Sequence, residues 1–318
     1  MPPGTENVLY GIRAVNDHSD SNNSHRCGFV AIVGLPNTGK STLMNRYLRE
    51  KVSIVSPKPQ TTRTNVSCIL SASGHQVIFV DTPGILKPKY RMQETMTTCV
   101  ANAVSGADVI LVLFDASTYR DSIHPELVNF SEKIDVGKVV VALNKIDLVK
   151  KELLLVIIEK MAKLFPDADI VPISALDGSG TDELLSVLLE KLPVGPSLYS
   201  EDIISSEPER FFVSEIIREA VFHTMEQEIP YASAVIIDSF KEKTAKVVIH
   251  ATILVEKKSQ KPIIIGKGGS MIKRIGIMAR QGIETFLGKD VYLELYVKVS
   301  DDWRNRQSVL REIGLIKR

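Results

Sequence analysis

Residues 29–42 read FVAIVGLPNTGKST, and no other stretch so narrows the folds open to this chain. Five apolar residues suited to a buried strand run into a turn with glycine at 34 and 39. Helix-forming residues, STLMNRYLRE, follow from Ser41. A strand that passes through a tight turn into a helix is half of a β-α-β unit, whose helix packs back over a parallel sheet. Four more short runs repeat the strand character: QVIFV (76–80), DVILVLF (108–114), KVVVAL (138–143) and DIVPI (169–173). They are almost continuously apolar, as strands covered on both faces are. The fold class expected for the first two-thirds is α/β, a mostly parallel sheet with helices on both faces.

In such sheets the ligand lies beyond the carboxyl ends of the strands, and the polar motifs fall there. The turn Gly34-Leu-Pro-Asn37-Thr38-Gly39-Lys40-Ser41, with Thr42 after it, matches G-x-x-x-x-G-K-[ST]. Its glycines let several backbone N–H groups point at phosphate oxygens, Lys40 would reach the β- and γ-phosphates, and the Ser41 hydroxyl would join a Mg²⁺ shell. The following helix adds its positive dipole end. Asp81-Thr-Pro-Gly84 ends another strand: the aspartate can hold a magnesium water, and the Gly84 N–H can approach a γ-phosphate, a contact that hydrolysis removes. Asn144-Lys145-Ile-Asp147 ends a third. Guanine presents N1–H and a 2-amino group to one side, for which the Asp147 carboxylate is a bidentate acceptor, whereas adenine would leave it unpaired. Ser174-Ala175-Leu176 would offer a backbone N–H to the guanine carbonyl. DTPG or NKID alone is an ordinary turn; four motifs in this order, each at a strand end, predict a GTP-binding domain.

Taken together, GLPNTGKST, SPKPQTTRTN, VDTPGIL, NKID and PISAL resemble the translation-factor-related GTPases and, among them, the bacterial Era family, over nearly the whole chain after residue 27. The resemblance implies that a threonine of QTTR, Thr61 or Thr62 with Thr62 favoured, closes over Mg²⁺ in the GTP state. It also implies that Asn37 holds a K⁺ ion near the β/γ bridge. Asn37, Lys40, Thr62 and Gly84 are then the catalytic candidates, and Ser41, Thr62 and Asp81 the metal candidates. Thr38 stands where relatives often have valine. Ile85 occupies the position from which Ras-like enzymes orient water with a glutamine, so slow, K⁺-stimulated hydrolysis is expected.

The pattern changes after LPVGPSLYSEDIISSEP, which has the proline, glycine and serine of a connector. The expected organisation is a flexible tail (1–27), a GTP-binding domain (28–196), a linker (197–209) and a smaller α+β domain (210–318). RFFVSEIIREAVFHTM reads as an amphipathic helix, ASAVIIDSF and AKVVIHATILVE as strands, and VYLELYVKV as a strand with one packed face. Between these lies PIIIGKGGSMIKRIG. After its glycines, Ile272, Ile275, Ala279, Ile283 and Phe286 fall at helical spacing, with Lys273, Arg274 and Arg280 off that stripe. This order resembles a KH domain, whose GXXG loop clamps the backbone of unpaired nucleotides. Gly266, Lys267, Gly268 and Gly269 are the expected clamp. Ile264 and Ile265, with Ile263, offer apolar surface to bases, and Lys273, Arg274 and Arg280 add charge. From 257 to 283 there are seven basic residues and no acidic one.

Composition excludes more than it assigns. At 318 residues the chain exceeds what a single core usually fills. Its three cysteines show no CxxC spacing, which disfavours a disulfide framework or a zinc site. No run approaches a membrane helix, and residues 1–27 lack a signal peptide's apolar segment. The family resemblance implies a cytoplasmic monomer that binds GTP or GDP and the 3′ end of 16S ribosomal RNA during small-subunit assembly, with loose inner-membrane association. The alternatives are a nucleotide-dependent binding module that never turns over, and a last domain that contacts protein rather than RNA.

Overall fold

In the computed structural model the described residues are 8–10, 25–50, 54, 58 and 61–316. In chain order the first set of elements is β1 (Val8–Tyr10), β2 (Arg26–Val33), α1 (Lys40–Leu48), β3 (Val66–Ala72), β4 (His75–Asp81), α2 (Arg91–Ser105), β5 (Val109–Asp115), α3 (Pro125–Ser131), β6 (Val139–Asn144), α4 (Lys151–Leu164), β7 (Asp169–Pro172), α5 (Thr181–Lys191) and β8 (Ile203–Pro208). They form an eight-stranded sheet in the order β1-β8-β3-β4-β2-β5-β6-β7. The ladders from β4 through β7 are parallel, and β3 runs antiparallel to β4 and touches β8 at Cys68 and Ser205. Every residue of β5 and β6 is buried, which explains why their sequences carry no alternation. Val112, Leu143 and Met161 belong to the core on one side, together with Ile85.

Two expectations need correcting here. The segment 1–27, taken as a tail, contains β1 and the start of β2; most of its remaining residues lie outside the described set. The segment 197–209, taken as a linker, supplies β8. Its Ser205 is fully buried and donates from Oγ to the Ser67 carbonyl, while the chain divides into two compact units at Glu207 and Pro208. A strand whose inward side chain is a serine satisfied by hydrogen bonding gives no apolar signal in the sequence.

The second unit contains α6 (Glu209–Thr224), β9 (Ser233–Glu242), β10 (Val247–Val255), α7 (Gln260–Ile265), α8 (Ser270–Leu287), β11 (Val291–Val299) and α9 (Gln307–Glu312). Residues 54–61 and 88–95 group with it. Its sheet has the order β11-β10-β9, with β11 parallel and β9 antiparallel to β10. Val247, Ile249, Ala251, Ile253 and Val255, alternating along β10, meet Ile275, Ala279 and Ile283 of α8 and Ile217 of α6 in one core. The β period of two and the helical period of three to four thus converge on one apolar layer. Among the described residues, no helix is long and apolar enough to cross a membrane.

Candidate functional site

The first glycine turn is formed by contact as much as by backbone freedom. A Cβ on Gly34 would lie 2.3 Å from the Leu113 carbonyl oxygen. Asn37 takes the left-handed φ of 64°, and Gly39, at 96°, precedes the first turn of α1. Thr38 donates from Oγ1 to the Leu35 carbonyl at 3.0 Å. Lys40 is buried, and its Nζ donates to the carbonyls of Gly34 and Leu35 at 3.2 and 3.0 Å. Burial pushes its ammonium down to about 8, and the neighbouring Asp81 carboxylate pulls it partly back. A triphosphate would replace those carbonyls with stronger acceptors.

Beside Lys40 three oxygens converge. Ser41 Oγ donates to Asp81 Oδ2 at 3.0 Å, Thr62 Oγ1 donates to the same atom at 3.3 Å, and the two hydroxyls are 3.2 Å apart. Two hydroxyls and a carboxylate are the hard donors that Mg²⁺ takes, with water and phosphate completing its octahedron. Thr62 rather than Thr61 meets Ser41 and Asp81. The remainder of the 53–65 segment that the GTP state is expected to order is only partly among the described residues. Gly84 lies against the turn, where a Cβ would sit 2.8 Å from Pro36 N, and Ile85 N donates to the Gly34 carbonyl at 2.9 Å. Ile85, 9% exposed, packs in the core and lines a cavity there with Val100 and Ile110.

Asn144 joins the turn to the 174–176 loop: Nδ2 donates to the Thr38 carbonyl at 2.7 Å, and Oδ1 accepts from Ala175 N at 2.8 Å. Ser174 is buried and its Oγ accepts from Asp177 N at 3.3 Å; Leu176 is 77% exposed. Asp147 is exposed in the 3₁₀ turn Ile146–Leu148 that follows β6. Lys145 has a φ of 64°, and its Nζ pairs with Asp115 Oδ2 at 2.6 Å. Asp115 went unnoticed in the sequence, although an aspartate closing the apolar run VILVLF marks a strand end as clearly as Asp81 does. It fixes the lysine stem beside the end of β5.

The second glycine turn lies between α7 and α8. Gly266 has a φ of 73°, Gly268 of 60° and Gly269 of 79°, and Gly269 precedes the N-terminus of α8. Added Cβ atoms on Gly268 and Gly269 would meet nothing within 4 Å, so a ligand backbone could approach closely. Lys267, Lys273, Arg274 and Arg280 are exposed, Arg280 near Glu284 at 3.8 Å. Ile264 does not fulfil its expected role. Its side chain is fully buried in the core, because α7 turns it inward, and Ile263, 53% exposed, presents apolar surface in its place. Ile265 is partly exposed.

Residues 29–145 match the family described as 50S ribosome-binding GTPase, and residues 228–304 match the KH domain. The GTPase Era of Geobacter sp. (strain M21) is 44% identical over 92% of this chain and 99% of its own length. That of Staphylococcus haemolyticus is 43% identical over 92% and 98%. The crystal structure of Era in complex with MgGDPNP and nucleotides 1506–1542 of 16S ribosomal RNA is 40% identical, covers 92% of this chain and 99% of its own, and superposes with a TM-score of 0.87. A crystal structure of a single-substitution variant of Aquifex aeolicus Era bound to GDP·AlF4⁻ has the same identity and TM-score, covering 91% of this chain and 99% of its own. With two domains matched in order and this identity sustained over 92% of its length, the chain belongs to the Era family of GTPases.

Proposed function

We propose that this GTPase is a switch in which nucleotide state governs capture of single-stranded RNA, the 3′ end of 16S ribosomal RNA, during assembly of the small ribosomal subunit. The observation that carries the reading is the open Gly268–Gly269 turn, set at a helix N-terminus within an acid-free stretch whose lysines and arginines are exposed. Backbone N–H groups and the helix dipole suit phosphates, and Lys267, Lys273 and Arg274 add charge. In the first domain, Lys40 and the turn's N–H groups hold the β- and γ-phosphates, and the Gly84 N–H senses the γ-phosphate. Ser41, Thr62 and, through water, Asp81 would hold Mg²⁺, which offsets charge developing on the transferred phosphoryl group. Asn144, Asp147 and the 174–176 backbone read guanine.

The test is the affinity of a 3′-end 16S oligoribonucleotide with GTP analogue against GDP, repeated with the Gly268→Asp/Gly269→Asp variant. A nucleotide-dependent affinity that drops at least about tenfold in the variant is expected, since the carboxylates repel phosphate and fill the approach. Unchanged affinity would instead support a protein partner for this domain. Because Ile85 cannot polarise water, charge compensation falls to a K⁺ ion held by Asn37. Replacing K⁺ by Na⁺ should slow GTP hydrolysis about tenfold in the wild type and leave Asn37→Ala, already slow, unmoved. An alanine variant as fast as wild type in K⁺ removes that role.

A further inference from the structure

Helix α1 starts at the phosphate turn, and its last turn holds the loop that faces the base. Arg46, six residues beyond Lys40, lies outside every motif. Its guanidinium donates from Nη1 to the Leu176 carbonyl at 3.0 Å and from Nη2 to the Asp177 carbonyl at 2.5 Å. Gly178 follows with a φ of 99°, and a Cβ there would sit 1.8 Å from Arg46 Nη2, so the glycine keeps the guanidinium's place open. The next residue on the helix, Tyr47, donates its hydroxyl to the Thr181 carbonyl at 2.8 Å while its ring stacks on Phe79. Asn144 grips Ala175 from the other side. Within the loop, Gly178 N donates to the Ser174 carbonyl and Ser174 N to the Ser179 carbonyl, at 2.8 and 2.9 Å. These bonds brace the loop internally but do not tie it to the phosphate turn.

We propose that Arg46 is a positioning residue for guanine specificity. By fixing the carbonyls of Leu176 and Asp177 it sets the peptide planes 176–177 and 177–178, and with the hold of Asn144 on Ala175 N it brackets the 175–176 peptide between them, so that a backbone N–H meets the guanine 6-carbonyl at the distance the phosphate turn dictates. The bonds are exposed and modest in energy; their effect is on geometry, and a misplaced donor loses recognition steeply. A planar fork spans two carbonyls where a lysine's point charge satisfies one. The inference rests on the reading that 174–176 faces the base.

Titration calorimetry of GDP, IDP and 6-thio-GDP tests it. IDP keeps the 6-carbonyl and lacks the 2-amino group read by Asp147, whereas 6-thio-GDP alters the 6-position alone. For Arg46→Ala, GDP and IDP affinities are expected to fall together by about tenfold, and 6-thio-GDP by about twofold, since only a hydrogen bond at the 6-position is weakened. The GDP/6-thio-GDP preference therefore shrinks while GDP/IDP stays, and Arg46→Lys lies between. A general loss of fold integrity would lower all three alike. An Arg46→Ala protein as selective as wild type at the 6-position overturns the inference alone. A wild type that does not distinguish GDP from 6-thio-GDP overturns the base-loop reading and this inference with it.

Discussion

At Gly34 an added Cβ would lie 2.3 Å from the Leu113 carbonyl oxygen, and at Gly39 2.3 Å from Asn144 Nδ2; at Gly268 and Gly269 it would meet no atom within 4 Å. Written out, GLPNTGKS and GKGGS look like variations on one device. In the first, glycine is required because the turn is pressed against the protein's own strands, which fix its shape for a small ligand. In the second, apart from Gly266 packed on Met271, glycine serves backbone conformation and an open approach. Enclosure suits a mononucleotide, whose whole outline can be matched. Openness suits a polymer, of which only a few phosphates are gripped.

The largest expected effect that could break this contrast is on stability. Gly34→Ala forces the turn off Leu113 and should cost about 2–3 kcal/mol by overpacking, with loss of GDP binding. Gly268→Ala should cost about 1 kcal/mol, the price of a left-handed backbone, and leave GDP affinity intact. Thermal unfolding and GDP titration of both variants check this; equal losses would mean that the turns are not different in kind. Salt gives the next effect. If Lys267, Lys273 and Arg274 each neutralise a phosphate, RNA affinity should fall about twentyfold between roughly 50 and 200 mM salt, against a few-fold for GDP in its walled site. Parallel salt slopes would erase the distinction.

The smallest effect is on pH. Lys40 titrates near 8 in the nucleotide-free protein, below its ordinary value of 10.5. Binding phosphate raises that pKa, so the complex takes up a proton; affinity is full below 8 and declines above it. Between pH 7 and 9 GDP affinity should weaken about tenfold, with a much flatter profile for Lys40→Arg, whose charge does not titrate there. A wild type as flat as the arginine variant would show that the pocket does not desolvate Lys40.

What could be read in advance followed the physics of burial. The central strands announce themselves because both faces are covered, and α8 because Ile275, Ala279 and Ile283 keep helical spacing. The order of the nucleotide motifs needed only strand ends. The rest depended on pairings that leave no periodic trace. VSCILSA, with serines at 67 and 71 around three apolar residues, runs antiparallel as β3. IISSEP hides a strand behind Ser205. In PIII, only the phase of α7 decides that Ile264 goes inward and Ile263 outward. Thr61 and Thr62 are chemically equal until Ser41 and Asp81 are placed beside one of them. Arg46 and Asp115 act on backbone and on a neighbouring lysine, contacts that link positions far apart in the chain.

Ile85 sits in the core beside Val100 and Ile110, its N–H hooked to Gly34. A glutamine substituted there would direct its amide toward the cavity beside Val100 and Ile110, and would have to tear the hook loose to turn toward the phosphate turn. Ile85→Gln alone is therefore expected to leave the rate of GTP hydrolysis unchanged. On the role proposed for Asn37, the time the protein stays loaded with GTP would instead follow the cation held at the phosphate turn.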